Sequence, residues 1–519
     1  MVATFTDDFQ VVWQDPADAN LTWIFDQMHF PRPLSPTAGE LVKGLYEQYM
    51  NGRATYVNGY LFVHGLNPPP PTPDILERGA ADVWNKVHQP FMQAAAQRLI
   101  ETDYGRMKLS ELGDAMPGIL QESIDTYSHS MVVITGFMGP TFGFVQFLSD
   151  ELGPDGPQLA ASLLQGYENG SAAAGASLGG LAESAARLPA VAEALRQGNY
   201  DAIEGVEGGA AFMDEFRDFL KAYGWRLESW GTVHEPTWAE NPRVPLMLIG
   251  RYLHDPSRSP AAAISRAIAL REQTVREVET KLSPDKLPQF RAMLQACQNH
   301  VPVSEGRALW QLITGGSLRV PFLALGRGLV EAGALADAND VFFLTTQELK
   351  EAANNPSPSY GTLATKRRAD HERWEKLAPP PFVGSPPDMA HMPPEIVALL
   401  HLFFGAGAPQ IEGQTIKGQA ASKGVARGRA RIIHELSEAD RLQDGEILVC
   451  RMTAPPWTPL FAIAGGVVTD TGGVLSHSAI CAREYAIPCV VATQVATRVI
   501  PDGAMIEVDG TAGTVRIEG

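Results

Sequence analysis

Gly472-Gly473-Val474-Leu475-Ser476-His477-Ser478-Ala479-Ile480-Cys481-Ala482-Arg483-Glu484, with Ile487-Pro488-Cys489-Val490-Val491 close behind, is the stretch on which the reading of this 519-residue chain turns. Two glycines permit a backbone that other residues resist, and Ser478 to Glu484 reads as the first turns of a helix. The free N–H groups and the dipole at such a helix start favour a bound anion. An imidazole at that place suits a phosphoryl group. Its ordinary pKa of about 6.5 leaves much of it neutral near neutral pH, and neutral imidazole attacks phosphorus to give phosphohistidine. His477 is therefore the candidate nucleophile, against the plainer role of a helix-capping or core histidine.

Working outward, the residues after about Ile411 alternate turns with short β-branched runs. These predict strands at Ala430–Ile433, Glu446–Cys450, Gly466–Thr469, Val490–Ala492, Met505–Val508 and Thr514–Ile517. Just before them the chain is dense in proline, from Ala378-Pro379-Pro380-Pro381-Phe382 through Ser385-Pro386-Pro387 to Met392-Pro393-Pro394. Prolines at that density stop helices and favour an extended linker. From Glu40 to Lys376 the pattern is helical, with examples at Ile264–Leu282, Gln289–Cys297 and Leu318–Leu335, the last closed by Gly333. Thr126 to Ser149 lacks Asp, Glu, Lys and Arg, and its core Met131 to Leu148 has the length of a short membrane span. Gly136, Gly139, Pro140 and Gly143 interrupt it, so it reads as broken, buried helix. Its Phe137, Phe142, Phe144 and Phe147 suit either a core or an apolar pocket.

The blocks Gly418-Gln419-Ala420-Ala421-Ser422-Lys423-Gly424-Val425, Asp444-Gly445-Glu446-Ile447, Thr453-Ala454-Pro455-Pro456-Trp457-Thr458-Pro459, the His477 segment and Val508-Asp509-Gly510-Thr511-Ala512-Gly513 occur in one order over about a hundred residues. Together they resemble the swivelling phosphohistidine domain of the phosphoenolpyruvate-utilising enzymes. Phe30-Pro31-Arg32-Pro33-Leu34-Ser35-Pro36, Leu163-Leu164-Gln165-Gly166-Tyr167-Glu168-Asn169, Tyr223-Gly224-Trp225-Arg226 and Pro236-Thr237-Trp238-Ala239-Glu240-Asn241-Pro242 resemble the acceptor-binding part of rifampin phosphotransferase-type members. The resemblance implies a multidomain chain. A mainly α-helical acceptor-binding domain (1–377) is followed by a proline-rich linker (378–410) and a small swivelling β/α phosphohistidine domain (411–519).

The family's ATP-grasp domain would precede residue 1 and the phosphoenolpyruvate-binding barrel of its synthases would follow residue 519. No Walker-type glycine loop occurs in the sequence. The resemblance therefore implies a separate ATP-grasp subunit, holding ATP and magnesium, that charges His477 and releases AMP and phosphate. Such a split arrangement resembles the phenylphosphate synthase group, whose acceptors are phenols. Rival readings are a phosphotransferase for an antibiotic or another alcohol, and a non-catalytic phosphocarrier or regulatory subunit.

Around His477, phosphoryl contacts are expected from Thr471, Gly473, Ser476 and Ser478. For Arg483 a salt bridge competes with phosphate contact. A phenolic acceptor needs a base and a cationic stabiliser. The candidates are His29, His64, Trp225, Arg226 and His234, each of which also suits a structural role. Related acceptor domains often carry histidine where this chain has Trp225.

A formal charge of −18 argues against nucleic acid and anionic membrane as partners, both of which reward lysine and arginine. The four cysteines, Cys297, Cys450, Cys481 and Cys489, have apolar neighbours and no paired metal-ligand spacing. They predict reduced thiols, no metal site and a cytoplasmic location. The N-terminal ten residues do not read as a signal peptide.

Overall fold

The protein is described by a computed structural model covering residues 9–13, 15–27, 29–167, 170–253, 260–377, 379–386 and 410–518. Helix accounts for 59% of it, so the chain is mainly helical with a small α/β part. The larger part of the expected linker 378–410 lies outside the described residues, as do Glu168 and Asn169 and the Phe137 side chain. Two compact units emerge. One comprises residues 1–136, 229–236 and 310–392, and the other comprises 137–228, 237–309 and 393–519. The helical residues before 377 are thus shared between both units, because helices far apart in sequence pack together and sequence order carries no trace of that choice.

The first unit contains a small sheet. Strands β1 (Thr22–Phe25), β2 (Arg53–Val57), β3 (Tyr60–His64) and β4 (Phe382–Gly384) pair antiparallel in the order β2-β3-β1-β4. The hairpin turns at Asn58-Gly59, both with positive φ (50° and 75°), which is the turn that matches the twist of paired strands. Trp23, Phe25, Val57, Tyr60, Phe62 and Val383 form its core. Beside it, helices Pro36–Tyr49 and Thr346–Asn354 pack on helix Leu109–Val132. Gly113 admits the close approach, since a Cβ there would stand 2.2 Å from that of Ala353.

In the second unit nine strands form one sheet. They are β5 (Gln410–Glu412), β6 (Thr415–Lys417), β7 (Gln419–Ser422), β8 (Val425–Ile432), β9 (Ile447–Cys450), β10 (Gly466–Thr469), β11 (Cys489–Val491), β12 (Met505–Asp509) and β13 (Thr514–Ile517). Their order is β5-β6-β13-β12-β8-β9-β10-β11-β7, with β8 to β11 parallel. The predicted strands appear within a few residues of their expected bounds. Ile447, Val449, Val468, Val490, Ile506 and Val508 fill the core, as expected of strands covered on both faces.

Helices Gly170–Ala186, Arg243–Tyr252 and Pro260–Lys281 pack against this α/β part. The uncharged stretch breaks at Val133, one helix ending at Val132 and another running Ile134–Leu152, which continues through Gly136, Gly139, Pro140 and Gly143, the residues expected to interrupt it. Phe144 and Phe147 from it are buried with Phe290, Leu294 and Cys297, and Leu475 rests on the same cluster. Among the described residues no helix is long and apolar enough to cross a membrane.

Candidate functional site

Parallel strands present their carboxyl ends on one edge of a sheet, where ligands of α/β folds are commonly bound. Two adjacent strands lead into the His477 region there. After β10 the chain passes through residues 470–476 into the helix His477–Glu484 and returns as β11. After β9 it passes into the short helix Pro455–Ala462, which carries Thr458. Gly472 has φ +92° and a Cβ there would stand 2.9 Å from the Ser476 hydroxyl, so the turn requires glycine. Ser476 caps the helix by accepting from the Ala479 N–H at 3.5 Å.

The His477 side chain is 9% exposed and both ring nitrogens are engaged. Nδ1 faces the Glu305 carboxylate at 3.4 Å. Nε2 lies 3.2 Å from the Thr458 hydroxyl and 3.3 Å from the Cys481 sulfur. The Thr458 proton is given to the Pro455 carbonyl at 2.9 Å, so its oxygen acts as an acceptor toward the ring. Acceptors on both sides favour the imidazolium. Burial alone would lower the His477 pKa, but the Cys481 sulfur and the Glu305 carboxylate hold it well above the ordinary histidine value. Burial raises the Cys481 thiol, and the facing His477 offsets part of that rise. Glu484, two turns along the same helix, is raised to about 7 by burial and by the neighbouring Glu305.

The arrangement has a chemical consequence. Glu305 holds the proton on Nδ1, so loss of the second proton leaves the lone pair on Nε2, the nitrogen free to attack phosphorus.

The other residues expected around His477 are in the same segment but are largely occupied. Thr471 gives its hydroxyl proton to the Arg451 carbonyl at 3.1 Å. Ser478 is buried, with its oxygen 2.8 Å from the Thr453 hydroxyl and accepting from the Thr453 N–H at 3.3 Å. The Gly473 carbonyl accepts from the Ser476 N–H at 3.0 Å. Arg483 is buried, and its Nη1 donates to the carbonyls of Ala421 (2.8 Å) and Val474 (2.9 Å), tying β7 to the His477 turn. Burial lowers its pKa to about 10. The salt bridge considered for Arg483 is thus replaced by carbonyl contacts.

The acceptor-site candidates do not share one compact unit. Trp225 and Arg226 are in the unit that holds His477, whereas His29, His64 and His234 are in the other. Trp225 is half-buried in the turn after helix Gly209–Tyr223, and Arg226 is buried with its guanidinium carbon 3.9 Å from the centre of the Trp238 ring. His29 Nδ1 lies 3.1 Å from both oxygens of Asp26, which also accepts from the Tyr46 hydroxyl. Burial would raise Asp26, yet His29 and Tyr46 hold it below the usual carboxylate range. His64 Nδ1 is 2.8 Å from the Thr22 carbonyl. His234 is held neutral by burial and by the nearby His371 ring and arginines.

Sequence reasoning missed Glu305 and gave Cys481 and Glu484 only structural roles. The i, i+4 spacing of His477 and Cys481 was a usable signal for one of them. All four cysteines are buried free thiols.

Comparisons with known proteins agree with this geometry. Residues 442–513, which include His477, match the PEP-utilising enzyme mobile domain. Residues 129–305 match the rifampicin phosphotransferase fourth domain, with Glu305 as the last matched residue. The chain is 28% identical to chondramide synthase of Chondromyces crocatus over 98% of its own length and 14% of that protein's. It is 32% identical to the uncharacterized phosphotransferase YvkC of Bacillus subtilis (61% of this chain, 37% of the relative). To the rifampicin phosphotransferase of the same organism it is 30% identical (61% and 36%). The chain therefore spans between 14% and 37% of the length of these relatives.

Proposed function

We propose that this chain is a phosphotransferase component that carries a phosphoryl group on His477 Nε2. The observation that supports this most is the placing of that ring at a helix start, beside the ends of two parallel strands, with Nδ1 held by a carboxylate at 3.4 Å. In this reading an ATP-grasp subunit binds ATP with magnesium. ATP and water end as AMP and inorganic phosphate, with the β-phosphoryl on Nε2. The acceptor oxygen then attacks phosphorus, the P–N bond breaks, the imidazole keeps the electron pair and the acceptor's proton passes to a base.

The acceptor we favour is a small phenol, giving an aryl phosphate. Burial of Phe144, Phe147 and Phe290 beside Leu475 supports an apolar surround two residues from His477. The likeness to rifampicin phosphotransferases favours a second reading, an antibiotic or other alcohol as acceptor. Carriage of the domain between two sites by a swing on the linker also belongs to this proposal.

Incubation with β- and γ-labelled ATP and an ATP-grasp partner is the test. Acid-labile β-label is expected on wild type and not on His477→Ala. Label that persists in His477→Ala, or is absent from both, overturns the reading. Product formation from phenols and from rifampicin separates the two acceptor classes.

A further inference from the structure

The compact unit that carries His477 also buries a group of hydrogen-bond donors with nothing to receive them. Arg226 is 2% exposed, and neither its Nε nor its Nη1 has a hydrogen-bond partner. The same holds for the indole N–H of Trp238, on whose face the guanidinium stacks at 3.9 Å. The ionisable groups that bear on the guanidinium are Tyr223 and Tyr252, and among the described residues it joins no ion pair. The hydroxyls of Tyr252 and Tyr485 are neighbours, yet neither completes a bond of ordinary geometry. Even if one phenol served the other, a hydroxyl proton, an indole N–H and the N–H groups of two guanidinium nitrogens would still lack an acceptor.

A surplus of buried donors is unusual, since buried polar groups in folded proteins are nearly always paired. An unpaired buried cation is costly, and stacking on one indole returns only part of that cost. A carboxylate of the protein would be the ordinary remedy, and here two phenols stand in its place. Neighbouring buried donors without an acceptor suit a bound anion.

We propose that Arg226, Trp238, Tyr252 and Tyr485 form a binding site for a small oxyanion, phosphate or carboxylate, separate from His477. Tyr485 ends the helix that His477 begins, and Cys481 lies between them on the same face. At 1.5 Å per residue the eight steps from His477 to Tyr485 measure about 12 Å. An anion held by the Tyr485 end of the helix is thus set apart from the phosphoryl group at the His477 end. It is a second group, either the acceptor's own carboxylate or an independent phosphate. Burial lowers the arginine to about 9 while it lacks a counter-ion, so it stays charged near neutral pH and a bound anion would raise it again.

The test is calorimetric titration of the full chain with sodium phosphate and, separately, sodium benzoate, at ionic strength fixed with chloride. His477→Ala, Arg226→Gln and the double variant Tyr252→Phe/Tyr485→Phe are titrated alongside. Saturable binding of at least one anion is expected in wild type and equally in His477→Ala, with at least tenfold weaker binding in the other two. Preference for phosphate identifies a phosphate site, and preference for benzoate identifies a carboxylate site for an acidic acceptor. No saturable binding of either anion, binding unchanged in the double phenylalanine variant, or binding lost in His477→Ala overturns the proposal. If Arg226→Gln does not fold, the double variant decides alone. Because His477→Ala retains this site, its failure and that of the phosphocarrier reading are separate results.

Discussion

Replacing Glu305 by glutamine removes a charge while keeping the shape and an acceptor oxygen opposite His477 Nδ1. The two groups are 3.4 Å apart, with side chains 9% and 12% exposed. At an effective dielectric of about 20 a pair of unit charges at that distance attracts by roughly 5 kcal/mol. Much of this already acts on the imidazolium of the resting protein, which is why the His477 pKa stands high. When the neutral ring attacks through Nε2, positive charge returns to the ring and the carboxylate stabilises it again. Glu305→Gln therefore has two opposed effects. More of the ring is neutral near neutral pH, and each neutral ring reacts more slowly.

If roughly a third of the attraction develops only in the transition state, about 1.5 kcal/mol, the plateau rate falls about tenfold. The assay is phosphorylation of the chain by phosphoramidate, followed as acid-labile phosphate from acidic to alkaline pH, with His477→Ala as background. In wild type the rate should climb with pH and level off only above the raised His477 pKa. In Glu305→Gln it should level off at lower pH and at a lower value. Profiles with the same midpoint, or a variant plateau equal to wild type, refute the argument.

Further expectations concern stability around the same turn. Glu484 is raised to about 7, so its stabilising contribution is complete below the unfolded value of about 4.3 and is lost as pH rises through about 7. Glu484→Gln should accordingly be more stable than wild type at about pH 8, by up to roughly 3 kcal/mol, and no more stable at about pH 4. Denaturant titration at the two pH values reads the difference, and a gain confined to low pH would contradict it. Ser478→Ala should lower stability by about 1–2 kcal/mol through loss of the Thr453 contacts, with phosphoramidate uptake nearly unchanged. A large loss of uptake at full stability would return Ser478 to phosphoryl binding. Gly472→Ala should cost at least about 1–2 kcal/mol, because φ is +92° and the new Cβ would meet the Ser476 cap. An unchanged melting temperature would show that the turn does not need glycine.

The sequence by itself settled what is local. The β-branched runs of residues 430–517 gave strands close to where they were expected, because burial on both faces leaves an apolar run in β9, β10 and β11 and burial on one face leaves an alternating one in β12. The Gly-Gly turn and the His477 helix were legible because backbone preferences act over a few residues, whereas Ser476, expected on the phosphoryl group, caps the helix. The Asn58-Gly59 hairpin was also written in the sequence and went unread, being overshadowed by the helical pattern around it.

Tertiary structure decided the remainder. Glu305 lies on another helix, and nothing in its neighbourhood marks it as the partner of His477. Arg483 looked equally suited to phosphate or a salt bridge until the fold brought the Ala421 and Val474 carbonyls to its Nη1. The unmet donors around Arg226 exist only because residues 226, 238, 252 and 485 are buried together. Backbone preferences act between chain neighbours, whereas charge pairing and desolvation depend on distance in space, and only the folded chain sets those distances.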